Sequence, residues 1–135
     1  MTENEVTEKV IGCGIEVHRA LGPGLLESIY EECLAMELRL RGLSFERQIC
    51  IPLTYKGQPV SIDLRIDLLV EQSVIVELKA IETVLPIHDA QLLTYLRLTG
   101  KAVGLLINFN VPLLRDGIRR LVNHYTGLRV SAPPR

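Results

Sequence analysis

Residues 102–109, AVGLLINF, are almost wholly apolar, and this run most restricts the folds open to the chain. A strand-length run without polar alternation is typical of a strand covered on both faces, as in parallel sheets. The preceding stretch, 87–99, has the pattern of a helix that starts after Pro86 and ends at Gly100. A strand that follows a helix in this way indicates a βαβ crossover. We therefore expect 102–109 to lie inside a sheet and to pair in parallel with an earlier strand.

Periodicity elsewhere gives the remaining elements. Thr2 and Glu5 form a capping-box pattern that opens a helix over roughly residues 4–20, and a second amphipathic helix covers about 25–41. The predicted order is α-α-β-β-β-α-β, an α/β fold with a mixed sheet in a single domain over 1–135, of which 131–135 forms a loose tail. The predicted strands before the crossover are 45–55, 60–68 and 74–80, and a short element covers about 115–122.

Composition describes an ordinary globular chain of 135 residues, 47% of them hydrophobic. No apolar stretch approaches the about 20 residues needed to cross a membrane, and the glutamates near the start argue against a secretory signal. Three widely spaced cysteines without a CxxC pair indicate free, buried thiols in a reducing cytoplasm. We therefore expect a cytoplasmic protein with no membrane partner.

Charge is unevenly distributed although the net charge is only −1. Residues 1–40 carry eight acids and three bases, a net of −5, whereas residues 97–135 carry one acid and seven bases, a net of +6. A basic region rich in arginine is compatible with phosphate contacts to nucleic acid. A solvated surface, or an intramolecular balance with the acidic first helix, explains the same pattern, and charge alone favours that interpretation.

Two carboxylates meet if the strands around residues 71–73 form a hairpin. Pairing Val70 with Val74 places Asp67 opposite Glu77, on one face of the sheet. Opposed Cβ atoms lie about 4.5–5.5 Å apart, so two negative charges there are unfavourable without a proton or a cation. A hard divalent cation with oxygen ligands would relieve this repulsion. Lys79 lies on the same face as Glu77 because strand side chains alternate.

The following helix adds polar groups that suit phosphate chemistry. Gln91 and Tyr95 are spaced i, i+4 and share a helix face, and His88 lies on the same side. A metal would polarise a phosphate and activate water, and Lys79 would offset charge in the transition state.

Ordinary explanations exist for each of these residues. Glu77 and Lys79 could form a surface ion pair worth at most about 1 kcal/mol. Asp67 could be a turn residue, and the amide–phenol pair could be an ordinary helix face. Spacing alone therefore leaves both interpretations open.

Four motifs in order resemble a known family. Residues 24–30, GLLESIY, read GxxExxY after the segment 17–23, VHRALGP. With Asp67, the tripeptide 77–79 (ELK) and the segment 91–96 (QLLTYL), the pattern resembles the GxxExxY protein family of the PD-(D/E)xK nuclease superfamily over about residues 5–125. The resemblance implies a restriction-endonuclease-like αβββαβ core with an extra N-terminal helix, which agrees with the element order above.

The resemblance also implies roles for the acidic residues and the lysine. Asp67 is similar to the first half-motif, with Arg-Ile-Asp in place of Pro-Asp, and Glu77 with Lys79 to the second. Glu27 is similar to the helix carboxylate that completes metal coordination in many members. Glu27, Asp67, Glu77 and the backbone carbonyl of Leu78 would hold the metal, while Lys79 assists the attacking water.

Other positions receive secondary roles from the same resemblance. Gln91 and Tyr95 are similar to a QxxxY motif that contacts the nucleic-acid backbone or braces the site. His18 occupies a place where some relatives carry a metal ligand, but we expect packing or capping near Gly22. Tyr30 is expected to pack beneath Glu27.

These features lead to one leading functional hypothesis, one alternative and a third option, which is a subunit of a larger complex. The leading hypothesis is a Mg²⁺-dependent nuclease, with Mn²⁺ as a substitute, that hydrolyses phosphodiester bonds of nucleic acid, with DNA favoured over RNA and a homodimer as one assembly option. The alternative is a non-catalytic nucleic-acid-binding or interaction module on the same fold.

Overall fold

A five-stranded mixed sheet carries helices on both faces. The computed structural model describes residues 1–124, so the predicted tail at 131–135 lies outside the described residues. The helices are α1 (Glu3–Leu21), α2 (Glu27–Leu40) and α3 (Pro86–Thr99). The strands are β1 (Phe45–Cys50), β2 (Thr54–Tyr55), β3 (Gln58–Pro59), β4 (Arg65–Val70), β5 (Val74–Lys79), β6 (Val103–Asn108) and β7 (Ile118–Val122). The main sheet has the order β1-β4-β5-β6-β7, and β2 and β3 form a separate two-stranded sheet.

Two apolar cores follow from the alternation of side chains along these strands. The first, here the α1–α2 core, joins both N-terminal helices to one face of the sheet through residues such as Leu34, Val76 and Ile107. The second, here the α3 core, joins α3 to the opposite face through residues such as Leu92 and Ile75. The predicted α/β class with a mixed sheet is confirmed.

The central strand behaves as its apolar composition requires. All residues of β6 are buried, and β6 pairs in parallel with β5 across the α3 crossover. The expected interior, parallel strand is therefore confirmed, over Val103–Asn108 within the predicted 102–109.

The two N-terminal helices begin in different ways, one at a local side-chain cap and the other at a tertiary contact. Thr2 and Glu5 form the capping box predicted for α1, each side chain bonding the backbone N–H of the other. The start of α2 has no side-chain cap on Leu26. A tertiary contact holds it instead, because the Tyr30 hydroxyl donates to the Gly22 carbonyl at 2.6 Å and accepts from the Leu25 N–H at 3.1 Å.

Two strand predictions need correction, and one short element that the sequence left unassigned is now defined. The predicted strand 45–55 ends at Cys50, after which residues 54–59 turn back as the small β2–β3 hairpin. The predicted alternating strand 60–68 is wrong over 60–64, where the chain lies largely exposed beside the sheet, and β4 covers 65–70 instead. The element expected at 115–122 consists of a 3-10 helix, Leu114–Gly117, and the edge strand β7.

The ladder between β1 and β4 is interrupted at one pair. Ile49 pairs with Ile66, and the same register would pair Gln48 with Asp67, but this pair is missing. Phe45 packs against the α1–α2 core and Ile49 against the α3 core, although residues four apart in a regular strand share a face. The strand β1 therefore turns over at Gln48.

Two further expectations concern membranes and cysteines. Within residues 1–124, no helix combines the length and apolarity that a membrane span requires. Cys13, Cys33 and Cys50 are free thiols, as expected. The expected burial holds fully for Cys13 alone, because Cys33 is half-buried and Cys50 is exposed on β1.

We predict that Gly117→Ala strongly destabilises the fold. An added Cβ would lie 2.1 Å from the carbonyl oxygen of Asn108, which is backbone and cannot swing aside. Overpacking of this kind costs about 1–3 kcal/mol or more, and urea denaturation should show the lowered midpoint. Gly12→Ala is the control, since its Cβ meets only the flexible end of Arg41 and alanine favours the helix. Equal midpoints for the two variants would contradict the described close approach.

Candidate functional site

The strands β4 and β5 separate where the sequence predicts the carboxylate pair. Their antiparallel ladder joins Val70 to Val74 and ends at Leu68 and Val76, in the predicted register. Beyond that point, side chains replace the backbone ladder. The Asp67 N–H donates to Glu77 Oε2 at 2.8 Å, and the Leu78 N–H donates to Asp67 Oδ2 at 2.8 Å.

Glu77 is the most perturbed ionisable group at this position. It is only 5% exposed, and burial together with the neighbouring Asp67 carboxylate raises the pKa of Glu77 to about 8. The Asp67 N–H and Lys79 oppose this rise in pKa. A carboxyl group that resists ionisation here would gain from a nearby cation, which would favour its charged form.

Glu27 and Lys79 belong to the same electrostatic cluster. Glu27 begins α2, and desolvation and the Asp67 carboxylate raise its pKa, while Lys79 lowers it. Lys79 lies at the end of β5, two residues after Glu77, and is half-buried. The fold thus brings together the three carboxylates and the lysine singled out from the sequence.

These carboxylates do not form a ready metal shell. Across residues 1–124, no group of three or more His, Cys, Asp or Glu side chains is arranged to hold a metal ion. One oxygen each of Asp67 and Glu77 instead accepts a backbone N–H. An ionised carboxylate has about four acceptor positions, so one such bond leaves capacity for a cation. The oxygen donor set and the raised pKa of Glu77 therefore fit a hard divalent cation chemically.

Tyr95 lies under the carboxylates, and Gln91 lies on the outside. Tyr95 is 4% exposed, and its pKa is raised by burial and by the Glu77 carboxylate. Gln91 is exposed, and its Nε2 donates to the Tyr95 hydroxyl at 3.2 Å. The predicted amide–phenol pair therefore exists, with the phenol buried and the amide accessible from solvent.

His18, His88 and Tyr30 have structural partners. His18 Nε2 bonds the Val111 carbonyl at 2.8 Å, and the backbone N–H of Leu85 donates to His88 Nδ1 at the start of α3. Tyr30 is fully buried and stacks on Phe109 with ring centroids 4.4 Å apart. These contacts agree with the packing roles expected for His18 and Tyr30, and His88 caps its own helix.

Sequence reasoning missed three polar residues beside the site. Glu31 is 8% exposed, and its carboxylate accepts from Arg47 Nε at 3.0 Å and from Gln48 Nε2 at 2.8 Å. Gln48 Nε2 also lies 3.3 Å from Asp67 Oδ1. One signal was available, since Glu31 lies one helical turn after Glu27 and shares its face. Arg47 and Gln48 gave no signal, because alternating polar residues are ordinary in a half-exposed strand.

The basic C-terminal third is partly engaged within the protein. Arg119 forms a two-pronged contact with the Asp89 carboxylate at 2.8 and 2.5 Å, and Arg120 donates to Asn4 Oδ1 at 2.6 Å. The second contact reaches α1 through the neutral amide of Asn4. Arg129 and Arg135 lie outside the described residues.

The comparison with protein families agrees with this geometry. A family model described as the PD-(D/E)XK nuclease superfamily matches residues 4–121, which is most of the chain. The protein therefore belongs to the PD-(D/E)XK nuclease superfamily, and its mixed sheet with three helices is the restriction-endonuclease-like fold of that class. No curated protein and no solved structure matches the chain significantly.

The raised pKa of Glu77 predicts an unusual pH dependence of stability in metal-free protein. The folded chain retains the Glu77 proton up to about pH 8, whereas the unfolded chain releases it near pH 4.5. The unfolding free energy should therefore fall, by a few kcal/mol, as pH rises between these values. Glu77→Gln removes this loss, so the variant should match wild type near pH 4 and exceed it above pH 8.

Urea denaturation in the presence of a chelator measures this difference across pH 4–9. Glu82→Gln, at an exposed position, is the control and should follow the wild-type curve. A stability difference between Glu77→Gln and wild type that stays constant with pH would contradict the prediction.

Proposed function

We propose that the protein is a Mg²⁺-dependent nuclease that hydrolyses phosphodiester bonds of nucleic acid, with DNA favoured and Mn²⁺ as a substitute. The observation that carries the proposal is the carboxylate pair Asp67 and Glu77 at the broken β4–β5 ladder, with Lys79 next along β5. Membership of a nuclease superfamily supports the same class of reaction.

Four groups of this chain would hold the metal: Glu27, Asp67, Glu77 and the backbone carbonyl of Leu78. Bound there, the cation supplies Lewis-acid polarisation of the phosphate and lowers the pKa of a bound water. The electrostatic coupling of Glu27 to Asp67 supports placing the helix carboxylate in the set. Because the carboxylates are not arranged as a shell, their side chains must rearrange when a cation binds.

Lys79 and the α3 pair act on the substrate side of the proposed reaction. Lys79 lies close enough to Glu27 and Glu77 to lower the pKa of both, so its ammonium group is placed to offset negative charge on the reacting phosphate and to assist the attacking water. Gln91 is exposed and can donate to the nucleic-acid backbone, whereas Tyr95 holds Gln91 and braces the carboxylates.

The proposal also covers the subfamily, the cellular location and the oligomeric state of the protein. The segment 24–30 and the motif residues that follow it support the proposal that the chain is one of the GxxExxY proteins within the superfamily. The free thiols fit a cytoplasmic location. The proposal treats residues 1–135 as one domain. A homodimer is the proposed assembly, to be checked by light scattering.

One observation favours a second candidate function. The carboxylates of residues 1–124 form no ready metal shell, which is the expectation for a non-catalytic nucleic-acid-binding or interaction module on the same fold. The presence of Lys79 beside three carboxylates favours the nuclease, since a binding module has no need of that cluster.

Cleavage and metal binding should separate in two variants. Lys79→Ala keeps the carboxylates but removes the cation beside the phosphate, so cleavage should slow by about 10²–10³ while Mn²⁺ binding persists. Glu77→Gln should weaken Mn²⁺ binding and cleavage together. Labelled single- and double-stranded DNA and RNA with Mg²⁺ measure cleavage, and calorimetry measures Mn²⁺ binding.

Lys9→Ala, at an exposed position on α1, is the matched control and should behave as wild type. If wild type binds no divalent cation and cuts none of these substrates, the binding-module function replaces the nuclease. Unimpaired cleavage by Lys79→Ala would show that the lysine is assigned wrongly.

A further inference from the structure

One amide side chain spans the break in the β1–β4 ladder beside the candidate site. Gln48 Nε2 donates to Glu31 Oε1 at 2.8 Å and to Asp67 Oδ1 at 3.3 Å. The same amide group therefore contacts a carboxylate of α2 and a carboxylate of β4. Neither contact belongs to the sheet ladder, so each depends on the direction of the Gln48 side chain.

The backbone of Gln48 has an unusual conformation, which accompanies this direction of the side chain. Its φ is 52°, in the left-handed region that non-glycine residues rarely adopt. The other non-glycine residues of 1–124 with positive φ, Lys56, Glu71 and Gln72, occupy turns between strands, where this conformation is ordinary. Gln48 alone of these lies inside a strand. Such strain within a regular element is retained only where the surroundings hold it in place.

Glu31 provides the fixed end of the bridge. It is almost completely buried, and its other oxygen accepts from Arg47 Nε at 3.0 Å. Arg47 is itself held by Glu32 at 2.8 Å. The Glu31 carboxylate is thus engaged on both oxygens and cannot turn without losing a charged hydrogen bond.

Asp67 is the other end of the bridge. Its Oδ2 accepts the Leu78 N–H, and its Oδ1 faces the Gln48 amide. These two donors approach from β5 and from β1, one on each oxygen. Removal of the amide would leave the carboxylate held by a single bond and able to rotate.

We infer that Gln48 is a positioning residue, which anchors the Asp67 carboxylate to the buried Glu31 and holds it in the orientation used at the site. The part of this inference that concerns cation binding rests on the proposed function. The part that concerns the orientation of Asp67 stands on the geometry alone. Outer partners of this kind typically change metal affinity by about 10–100-fold when they are removed.

Gln48→Gly removes the side-chain amide without imposing strain on the backbone at this position. Glycine adopts a φ of 52° freely, so β1 can still turn over while the bridge is lost. The expected result is a rise of roughly 10–100-fold in the Mn²⁺ dissociation constant, measured by calorimetry. In metal-free protein, the Leu78 amide proton should move upfield, because its bond to the freed Asp67 carboxylate lengthens.

A second variant controls for any destabilisation that glycine itself causes. Gln48→Asn keeps an amide and tolerates the left-handed region, but its shorter side chain cannot reach both carboxylates. It should reproduce both changes seen in Gln48→Gly.

Gln72→Gly is the matched control. Gln72 has a φ of 54°, and its amide also contacts a glutamate, Glu46, but it lies in the turn between β4 and β5. Its Mn²⁺ affinity and its Leu78 resonance should equal those of wild type.

The outcomes separate this inference from the proposed function. Unchanged Mn²⁺ affinity and an unchanged Leu78 resonance in both Gln48 variants overturn the inference while leaving a metal-binding wild type as a nuclease candidate. A Leu78 shift in a protein whose wild type binds no Mn²⁺ supports the positioning of Asp67 and overturns the proposed metal function.

Discussion

The site depends on an exchange of hydrogen bonds between two strands. Asp67 and Glu77 each accept a backbone N–H from the opposite strand where the β4–β5 ladder stops. Without these bonds, a buried carboxylate beside another would be too unfavourable to retain in the fold. With them, burial and the neighbouring Asp67 carboxylate still raise the pKa of Glu77. The architecture thus holds acidic groups together at a point where a cation would favour their ionised forms.

The elements around the Asp67–Glu77 pair hold the candidate site in place from several directions. The Tyr30 hydroxyl ties the turn before α2 to Gly22, which fixes where Glu27 begins its helix. On the other side, the buried Asn108 side chain bonds both the N–H and the carbonyl of Ile81, so the segment leaving β5 after Lys79 is fastened to the end of β6. The carboxyl ends of adjacent parallel strands therefore frame the site, as is usual in α/β folds.

Charge explains why a cation is needed for the proposed chemistry. A phosphodiester approaching the site would be repelled by its ionised carboxylates, and Lys79 supplies a single positive charge against them. Arg119 and Arg120 are engaged with Asp89 and Asn4, so their contribution to phosphate binding would require these contacts to open. Arg119 and Arg120 therefore bond to residues outside the site's group of carboxylates.

The sequence alone determined the helices, the buried parallel strand and the hairpin register that aligns Asp67 with Glu77, because periodicity and turn spacing are local properties. It could not predict that β4 begins only at Arg65, since the alternation of 60–64 is the same whether or not a partner strand is present. It could not predict the roles of Glu31 and Gln48 either, because these residues matter through contacts between α2, β1 and β4. Only the tertiary structure decided that the carboxylates bond to backbone amides and form no ready metal shell in residues 1–124, because side-chain orientation is set by packing between elements distant in the chain.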